Sequence, residues 1–184
     1  MSKDNQLKVL EDKIREFVRS KYGKNPVPGE GNPNSKLLFI GEAPGANEEK
    51  TGRPFVGRSG NLLRELIKTK LGLDPKEVYI TSILHWRPPN NRKPKKKEIE
   101  QSLRFVSEII NIIKPKFIVV LGNTALNTLV DSKLKIGDVH GTIISINHNL
   151  FFPTYHPAAA LRSPIKTRRL LEKDFEKLRK ETNR

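Results

Sequence analysis

The sequence predicts an α/β fold, a three-layer α/β/α arrangement around a central, mostly parallel, four-stranded sheet. Four short apolar runs recur along the chain, at residues 37–40, 78–83 and 117–121 and in a paired run at 142–146 and 150–155. Helical stretches lie between these runs. Because parallel neighbours need long crossover connections, usually helices, this alternation favours a parallel sheet with helices on both faces.

The helices are predicted from apolar residues at helical spacing. The first lies in the N-terminal segment 1–22, where Leu7, Leu10 and Ile14 recur among charged residues. The next segment, YGKNPVPGEGNPNS, is rich in Pro, Gly and Asn and predicts a connecting loop. The remaining helices are expected near residues 60–70, 96–113, 123–130 and 164–181. With 184 residues, the chain fits a single domain that spans 1–184.

Composition limits the classes of function. Lys and Arg total 35 against 20 Asp and Glu, a net charge of +15, which favours a polyanionic partner such as nucleic acid. A lysine-rich surface from a hot or AT-biased genome is the alternative. No apolar run reaches the roughly 20 residues of a membrane span, and no leader pattern is visible, so we expect a soluble, cytoplasmic protein without membrane contact. We also expect a monomer. The sequence has no cysteine, which excludes disulfides, thiolate metal sites and cysteine nucleophiles.

Polar and glycine residues follow each predicted strand. The loops read GEAPGANEEKTGRPFVGRSG, SILHWRPPNNRKP, GNTA and YHPAAALR. In open α/β sheets, ligands bind beyond the carboxyl ends of the strands. We therefore expect these four loops to converge at one edge of the sheet.

Glu42 and His156 are the candidate catalytic residues. Glu42 lies in a glycine-bracketed turn after the first strand, and His156 directly follows the last strand. A histidine near a carboxylate suits proton handling or the stabilisation of developing negative charge. The alternatives are a capping role for Glu42 and a structural hydrogen bond for His156. Phe55, in the first loop, suits either stacking on a flat base or core packing.

Other kinds of site are disfavoured. The first loop lacks the G-x-G-x-x-G and G-x-x-x-x-G-K-[ST] spacings of nucleotide-binding loops. No serine lies in a nucleophile elbow, and the four histidines show no metal-ligand spacing. We therefore expect neither a metal nor a cofactor.

Four motifs resemble the successive motifs of the family-4 uracil-DNA glycosylases, in the same order and at similar separations. They read LLFIGEAPGANEEKTGRPFVGRSGNLL, VYITSILHWRPPNNRKP, IVVLGNTA and PTYHPAAALR, and the resemblance extends from residue 29 to residue 179. HWRPPNNR and RSPIKTRR are similar to a branch of the family with tryptophan after the second strand. The resemblance implies an enzyme that flips uracil out of DNA and hydrolyses its N-glycosidic bond.

The resemblance also implies roles for the matched residues. Glu42 would position or activate the attacking water, and His156 would donate a hydrogen bond to the uracil oxygen. Phe55 would stack on the base, in a pocket lined by Gly41, Ala43, Pro44 and Gly45. Leu161 and Arg162 would fill the vacated position in the duplex. The other residues expected to contact DNA are Arg58, Asn91, Arg92, Lys95, Lys96, Lys97 and Lys166.

The sequence departs from the family pattern at two points, which affect the cofactor and the base specificity that the resemblance implies. Family-4 enzymes generally hold a four-iron four-sulfur cluster by four cysteines, but Trp86 and Ser102 stand at two of those positions and the chain has no cysteine. We expect a hydrophobic contact centred on Trp86 to replace the cluster. Ser82 stands where the family usually has the asparagine that pairs with the uracil edge.

We therefore predict a monofunctional uracil-DNA glycosylase that initiates base excision repair on uracil-containing DNA. Two alternatives stay open. The same scaffold would act on another deaminated base, such as hypoxanthine or xanthine, or it would be a DNA-binding module without catalysis.

Overall fold

The fold is built on a six-stranded sheet, seen in a computed structural model that describes residues 1–183. Its strand order is β1-β3-β2-β4-β6-β5. The four inner strands are parallel to one another: β2 (Leu37–Gly41), β3 (Tyr79–Ser82), β4 (Phe117–Leu121) and β6 (Asn149–Thr154). The carboxyl ends of these strands therefore meet at one edge, as the sequence predicts.

The predicted four-stranded sheet is wrong in strand number, because a short antiparallel strand flanks each side of the parallel core. β1 (Glu30–Gly31) pairs with β3, and β5 (Ile144–Ile146) forms a hairpin with β6. The paired apolar runs anticipated the hairpin but were counted as one strand. β1 lies in the predicted loop, where two residues are too few to show alternation. It forms because the edge of β3 has backbone groups that need partners.

Eight α-helices are present in residues 1–183, and the longer ones match the predicted stretches. Two shorter turns accompany them: a π-helical segment at Ile67–Leu71 that continues α3, and a 3₁₀ turn at Pro89–Asn91. The helices are α1 (Lys3–Tyr22), α2 (Ala46–Thr51), α3 (Arg58–Leu66), α4 (Lys96–Ile113), α5 (Asn123–Leu129), α6 (Ile136–Val139), α7 (Pro157–Arg162) and α8 (Lys166–Thr182).

The helices cover both faces of the sheet. Leu38 and Ile40 of β2 pack with the apolar residues of α1, α4 and α5 on one face. Leu37 and Phe39 of the same strand point the other way and pack with α3 and α8. This alternation follows from the two-residue repeat of a strand, and burial on both faces explains why β2 is apolar throughout. None of the helices in residues 1–183 is long and apolar enough to cross a membrane.

Candidate active site

A cavity of about 160 Å³ lies at the carboxyl edge of the sheet. It is lined by loops that follow three different strands: Glu42 after β2, Ser82 at the end of β3 and His156 after β6, with Phe55 from the long first loop. The cavity is smaller than the roughly 300 to 1,000 Å³ of pockets for drug-sized ligands, which suits a single base. The structure thus brings the predicted catalytic pair and the predicted aromatic residue together.

Within residues 1–183, one carboxylate oxygen of Glu42 accepts a hydrogen bond and the other has no protein partner. The Thr124 hydroxyl, on α5, donates a hydrogen bond to Oε2 of Glu42. No other side-chain hydrogen bond reaches this carboxylate within the described chain. Glu42 lines the cavity and is only partly buried. The second oxygen is therefore available to a water molecule or a ligand.

In contrast, both carboxylate oxygens of Glu48 accept hydrogen bonds from backbone N–H groups. Glu48 was not among the predicted site residues. Its Oε1 accepts hydrogen bonds from the backbone N–H groups of Val56 (2.8 Å) and Gly57 (2.7 Å). Its Oε2 accepts from the Gly45 N–H at 3.1 Å. These bonds join the two ends of the first loop. A glutamate three residues after a helix N-cap is a capping-box signal, which would have indicated a local role for Glu48.

Phe55 is held in an unusual backbone conformation. Its φ angle of 52° lies in the left-handed region that residues other than glycine rarely adopt. Arg64 on α3 stabilises this turn by donating to the carbonyl oxygens of Phe55 and Pro54, each at 2.9 Å. The ring packs against Gly41, reaches the apolar cluster under α3 and also lines the cavity. The position of Phe55 is therefore compatible with both predicted roles, a core residue and a stacking surface for a base.

The hydrogen bonding of His156 defines its tautomer. The Ala158 N–H donates to Nδ1 at 3.1 Å, so Nδ1 carries no hydrogen and Nε2 does. Burial and, to a smaller extent, the nearby Arg162 charge lower the pKa of His156 to about 4, against an opposing effect of Glu48. Near neutral pH the ring is therefore uncharged and can donate from Nε2. Its centroid lies 5.8 Å from that of Phe55.

Ser82 has a hydroxyl that is free for a ligand. The residue is 5% exposed and lines the cavity at the end of β3. Its side chain has no hydrogen-bond partner in the described part of the chain, although other buried hydroxyls, such as that of Thr154, do. A polar group left unpaired beside a cavity suits a contact with a bound ligand.

A second cavity, of about 360 Å³, lies on the other side of Glu42 and His156, which line both. Its other polar lining residues are Lys93, Asn123, Thr124 and Tyr155, with Arg162 from the end of α7. Lys93 and Thr124 were not among the predicted site residues. The catalytic candidates thus stand between a small pocket and a larger, basic one.

The predicted DNA-contacting residues are distributed around these cavities. Arg92 and Asn91 line the smaller cavity, but Arg92 is bound to Glu98 through two hydrogen bonds of 2.8 and 2.7 Å. Asn91 accepts a hydrogen bond from Arg87 at 2.7 Å. Arg162 is exposed and lines the larger cavity. The remaining predicted residues are exposed on the surface and line neither cavity: Arg58, Lys95, Lys96, Lys97, Leu161 and Lys166.

Comparison with known proteins places the chain in a family. Residues 28–180 match the Uracil DNA glycosylase superfamily. The chain belongs to that superfamily. A type-4 uracil-DNA glycosylase of Sulfurisphaera tokodaii is 41% identical over 91% of this chain and 83% of its own length. A type-4 uracil-DNA glycosylase of Thermotoga maritima is 44% identical over 83% and 81%, whereas a type-5 enzyme of Pyrobaculum aerophilum is 27% identical over 79% and 71%.

The iron–sulfur cluster that the family resemblance implies does not fit these residues. Trp86, at one cysteine position, is 1% exposed and stacks on Tyr22 with 4.1 Å between ring centroids. Ser102, at the other, lies 3.0 Å from Nδ1 of the buried His85. No group of three or more metal-binding side chains occurs in residues 1–183. The space is filled by aromatic packing and a neutral polar contact, which provide no ligands for iron.

Proposed function

We propose that this protein is a uracil-DNA glycosylase, which hydrolyses the N-glycosidic bond of uracil in DNA and leaves an abasic site for base excision repair. One observation carries the proposal: Glu42, Phe55 and His156 line one cavity of single-base size in a chain of the uracil-DNA glycosylase superfamily. Similar proteins are named for this activity. The base must leave the duplex to reach such a cavity.

Binding of the flipped base would use Phe55 and the backbone around it. The ring of Phe55 is held by the bonds of Arg64 and Glu48 to its loop, so its position is set before the base arrives. Stacking on such a ring contributes roughly 1 to 3 kcal/mol per base. Ala43, Pro44 and Gly45 line the pocket, and the Ser82 hydroxyl contacts the base edge.

Hydrolysis would use Glu42 and His156 on the two sides of the breaking bond. The free oxygen of Glu42 orients a water and accepts its proton as the water oxygen bonds to C1′ of the deoxyribose. The bond from C1′ to N1 breaks, and its electron pair remains on the uracil. Neutral His156 donates from Nε2 to the uracil oxygen that gathers this charge.

DNA binding would use the basic surface beside the cavities. Leu161, 37% exposed at the end of α7, fills the space that the base leaves, and Arg162 contacts the flanking backbone. Lys95, Lys96 and Lys97 contact phosphates. We also infer that the protein acts as a single-domain monomer in the cytoplasm.

A second candidate substrate is another deaminated base, hypoxanthine or xanthine. It is favoured by Ser82, whose short hydroxyl replaces the asparagine expected to read the uracil edge. The unpaired hydroxyl leaves room for a different pattern of donors and acceptors. A panel of oligonucleotides with each base separates the two substrates.

The test is single-turnover release of uracil from an oligonucleotide by the wild type and two variants. Glu42→Gln and His156→Asn should each slow release by roughly 100-fold or more while DNA affinity is kept. Glu100→Gln, on the exposed side of α4, is the matched control and should match the wild type. A wild type that releases no uracil would refute the uracil-DNA glycosylase, and one that also releases neither hypoxanthine nor xanthine would leave a DNA-binding module.

A further inference from the structure

We infer that Thr124 is a positioning residue that orients the Glu42 carboxylate for its reaction with water. The inference rests on the proposed function and adds a residue to it. Thr124 donates its hydroxyl hydrogen to Oε2 of Glu42, across 82 residues of sequence and between two different strand ends. It lines the larger cavity but not the smaller one.

The bond is unusual for a threonine in a helix. Thr51, Thr69 and Thr182 each donate to the carbonyl oxygen four residues earlier in their own helix. This local bond is the ordinary use of a helical hydroxyl. Thr124, the second residue of α5, lies too near the start of its helix for that bond and points to another element instead. Its contact therefore serves Glu42 and not the helix.

The loop that carries Thr124 is itself fixed against the strand end that carries His156. Gly122 has a φ of 86°, and a Cβ atom there would lie 3.1 Å from Cβ of His156. The Gly122 N–H donates to the carbonyl oxygen of Thr154, two residues before His156. Asn123 accepts a hydrogen bond at 2.9 Å from the backbone N–H of Ile136. Thr124 is thus attached to a rigid frame that also contacts His156.

Orientation matters more for Glu42 than for Glu48. Three backbone N–H groups hold Glu48, whereas the Thr124 hydroxyl is the sole side-chain partner of Glu42 in the described chain. A glutamate between two cavities has rotatable side-chain bonds and loses its productive geometry when it is not held. Because Thr124 binds Oε2, Oε1 is the oxygen left to accept a hydrogen bond from water. Without it, we expect the carboxylate to sample positions that do not support hydrolysis.

The test replaces the hydroxyl with a methyl group of similar shape. Thr124→Val should slow single-turnover uracil release by roughly 10- to 100-fold, with DNA affinity changed by less than about threefold. Thr124→Ser keeps the hydroxyl and should recover most of the rate. Thr128→Val is the matched control, because Thr128 lies one turn further along α5 and its hydroxyl has no hydrogen-bond partner among residues 1–183. It should react at the wild-type rate.

A double-mutant cycle separates positioning from general structural damage. In the Glu42→Gln background, Thr124→Val should change the rate by less than about twofold, since the group it orients has lost its function. Equal slowing in both backgrounds would overturn the inference, as would wild-type activity in Thr124→Val. If Thr124→Val fails to fold, Thr124→Ala is judged by the same criteria. A wild type without activity on uracil would refute the proposed function and this inference with it.

Discussion

Phe55 lies so close to Gly41 that a Cβ atom on Gly41 would be 2.4 Å from Cζ of its ring. Real side chains do not approach so closely, and the ring is fixed on its other side by the loop that Arg64 and Glu48 hold. Glycine at the end of β2 is therefore required for the ring to reach the cavity.

Gly41→Ala should displace the Phe55 ring and slow uracil release by roughly 10- to 100-fold. The backbone of Gly41 has no positive φ, so the effect comes from the clash and not from backbone strain. Gly137→Ala is the control, because a Cβ there would meet only the Tyr155 hydroxyl at 3.7 Å. Single-turnover rates of both variants test this, and a Gly41→Ala enzyme with the wild-type rate would contradict it.

Glu48→Gln should destabilise the protein by about 2 to 4 kcal/mol and reduce uracil release. An amide has one acceptor oxygen, whereas three backbone N–H groups now donate to the carboxylate of Glu48. Urea denaturation gives the free energy of unfolding. The control is Glu65→Gln, which removes an exposed partner of Arg168 and should change the free energy of unfolding by less than about 1 kcal/mol. Equal stabilities for the two variants would show that the first loop does not depend on Glu48.

Stability should fall as the pH is lowered from 6.5 to about 4. Burial lowers the pKa of both His85 and His156 from 6.5 to about 4, so the unfolded chain binds more protons than the folded one in this range. Each shift corresponds to at most roughly 3 kcal/mol. The stabilisation that these two uncharged histidines provide is complete above pH 6.5, and it is lost as the pH falls toward their folded-state pKa of about 4.

Urea denaturation at several pH values measures this loss. His156→Asn removes one of the two titrating rings, so its unfolding free energy should decline less steeply between pH 6.5 and 4 than that of the wild type. A decline of the same size in both proteins would show that folding does not lower the pKa of His156.

Ser82→Asn should sharpen the preference for uracil. An asparagine amide that pairs with both a donor and an acceptor on the base is left unpaired by the wrong base, whereas the Ser82 hydroxyl leaves less unpaired. Single-turnover rates on uracil, hypoxanthine and xanthine, at one salt concentration, give the comparison. A variant that loses uracil activity without gaining selectivity would show that Ser82 does not read the base. A variant with unchanged rates would indicate that a bridging water already makes the same contacts.

Affinity for undamaged DNA should fall steeply with salt. Each phosphate contact contributes about 0.9 to the slope of log affinity against log salt, so replacing Lys95, Lys96 and Lys97 by Gln should reduce the slope by at most about 2.7. The control replaces Lys36, Lys76 and Lys116, which precede β2, β3 and β4 at the opposite edge of the sheet. Equal slopes for the two triple variants would show that the basic start of α4 does not contact DNA.

The sequence by itself was sufficient to predict the alternation of strands and helices. Apolar runs identified β2, β3, β4 and β6, and helical spacing identified α1, α4 and α8, because these elements bury whole faces and show their period in the sequence. It also indicated that Glu42 and His156 follow strands whose ends meet, which is a consequence of parallel topology. Their catalytic roles remain predictions.

Only the tertiary structure decided how many strands the sheet has and which carboxylate is free to react. β1 is two residues long, too short for a periodic signal, and β5 lies within the predicted apolar run 142–146, which does not by itself show that it is a separate strand. Glu42 and Glu48 lie six residues apart in one loop and differ in what surrounds them. Both oxygens of Glu48 accept hydrogen bonds from backbone N–H groups, whereas in the described part of the chain Glu42 has only the Thr124 hydroxyl as a side-chain partner. The side-chain partner of Glu42 comes from α5, 82 residues further along the chain, so local sequence does not reveal it, whereas the partners of Glu48 lie within 9 residues of it.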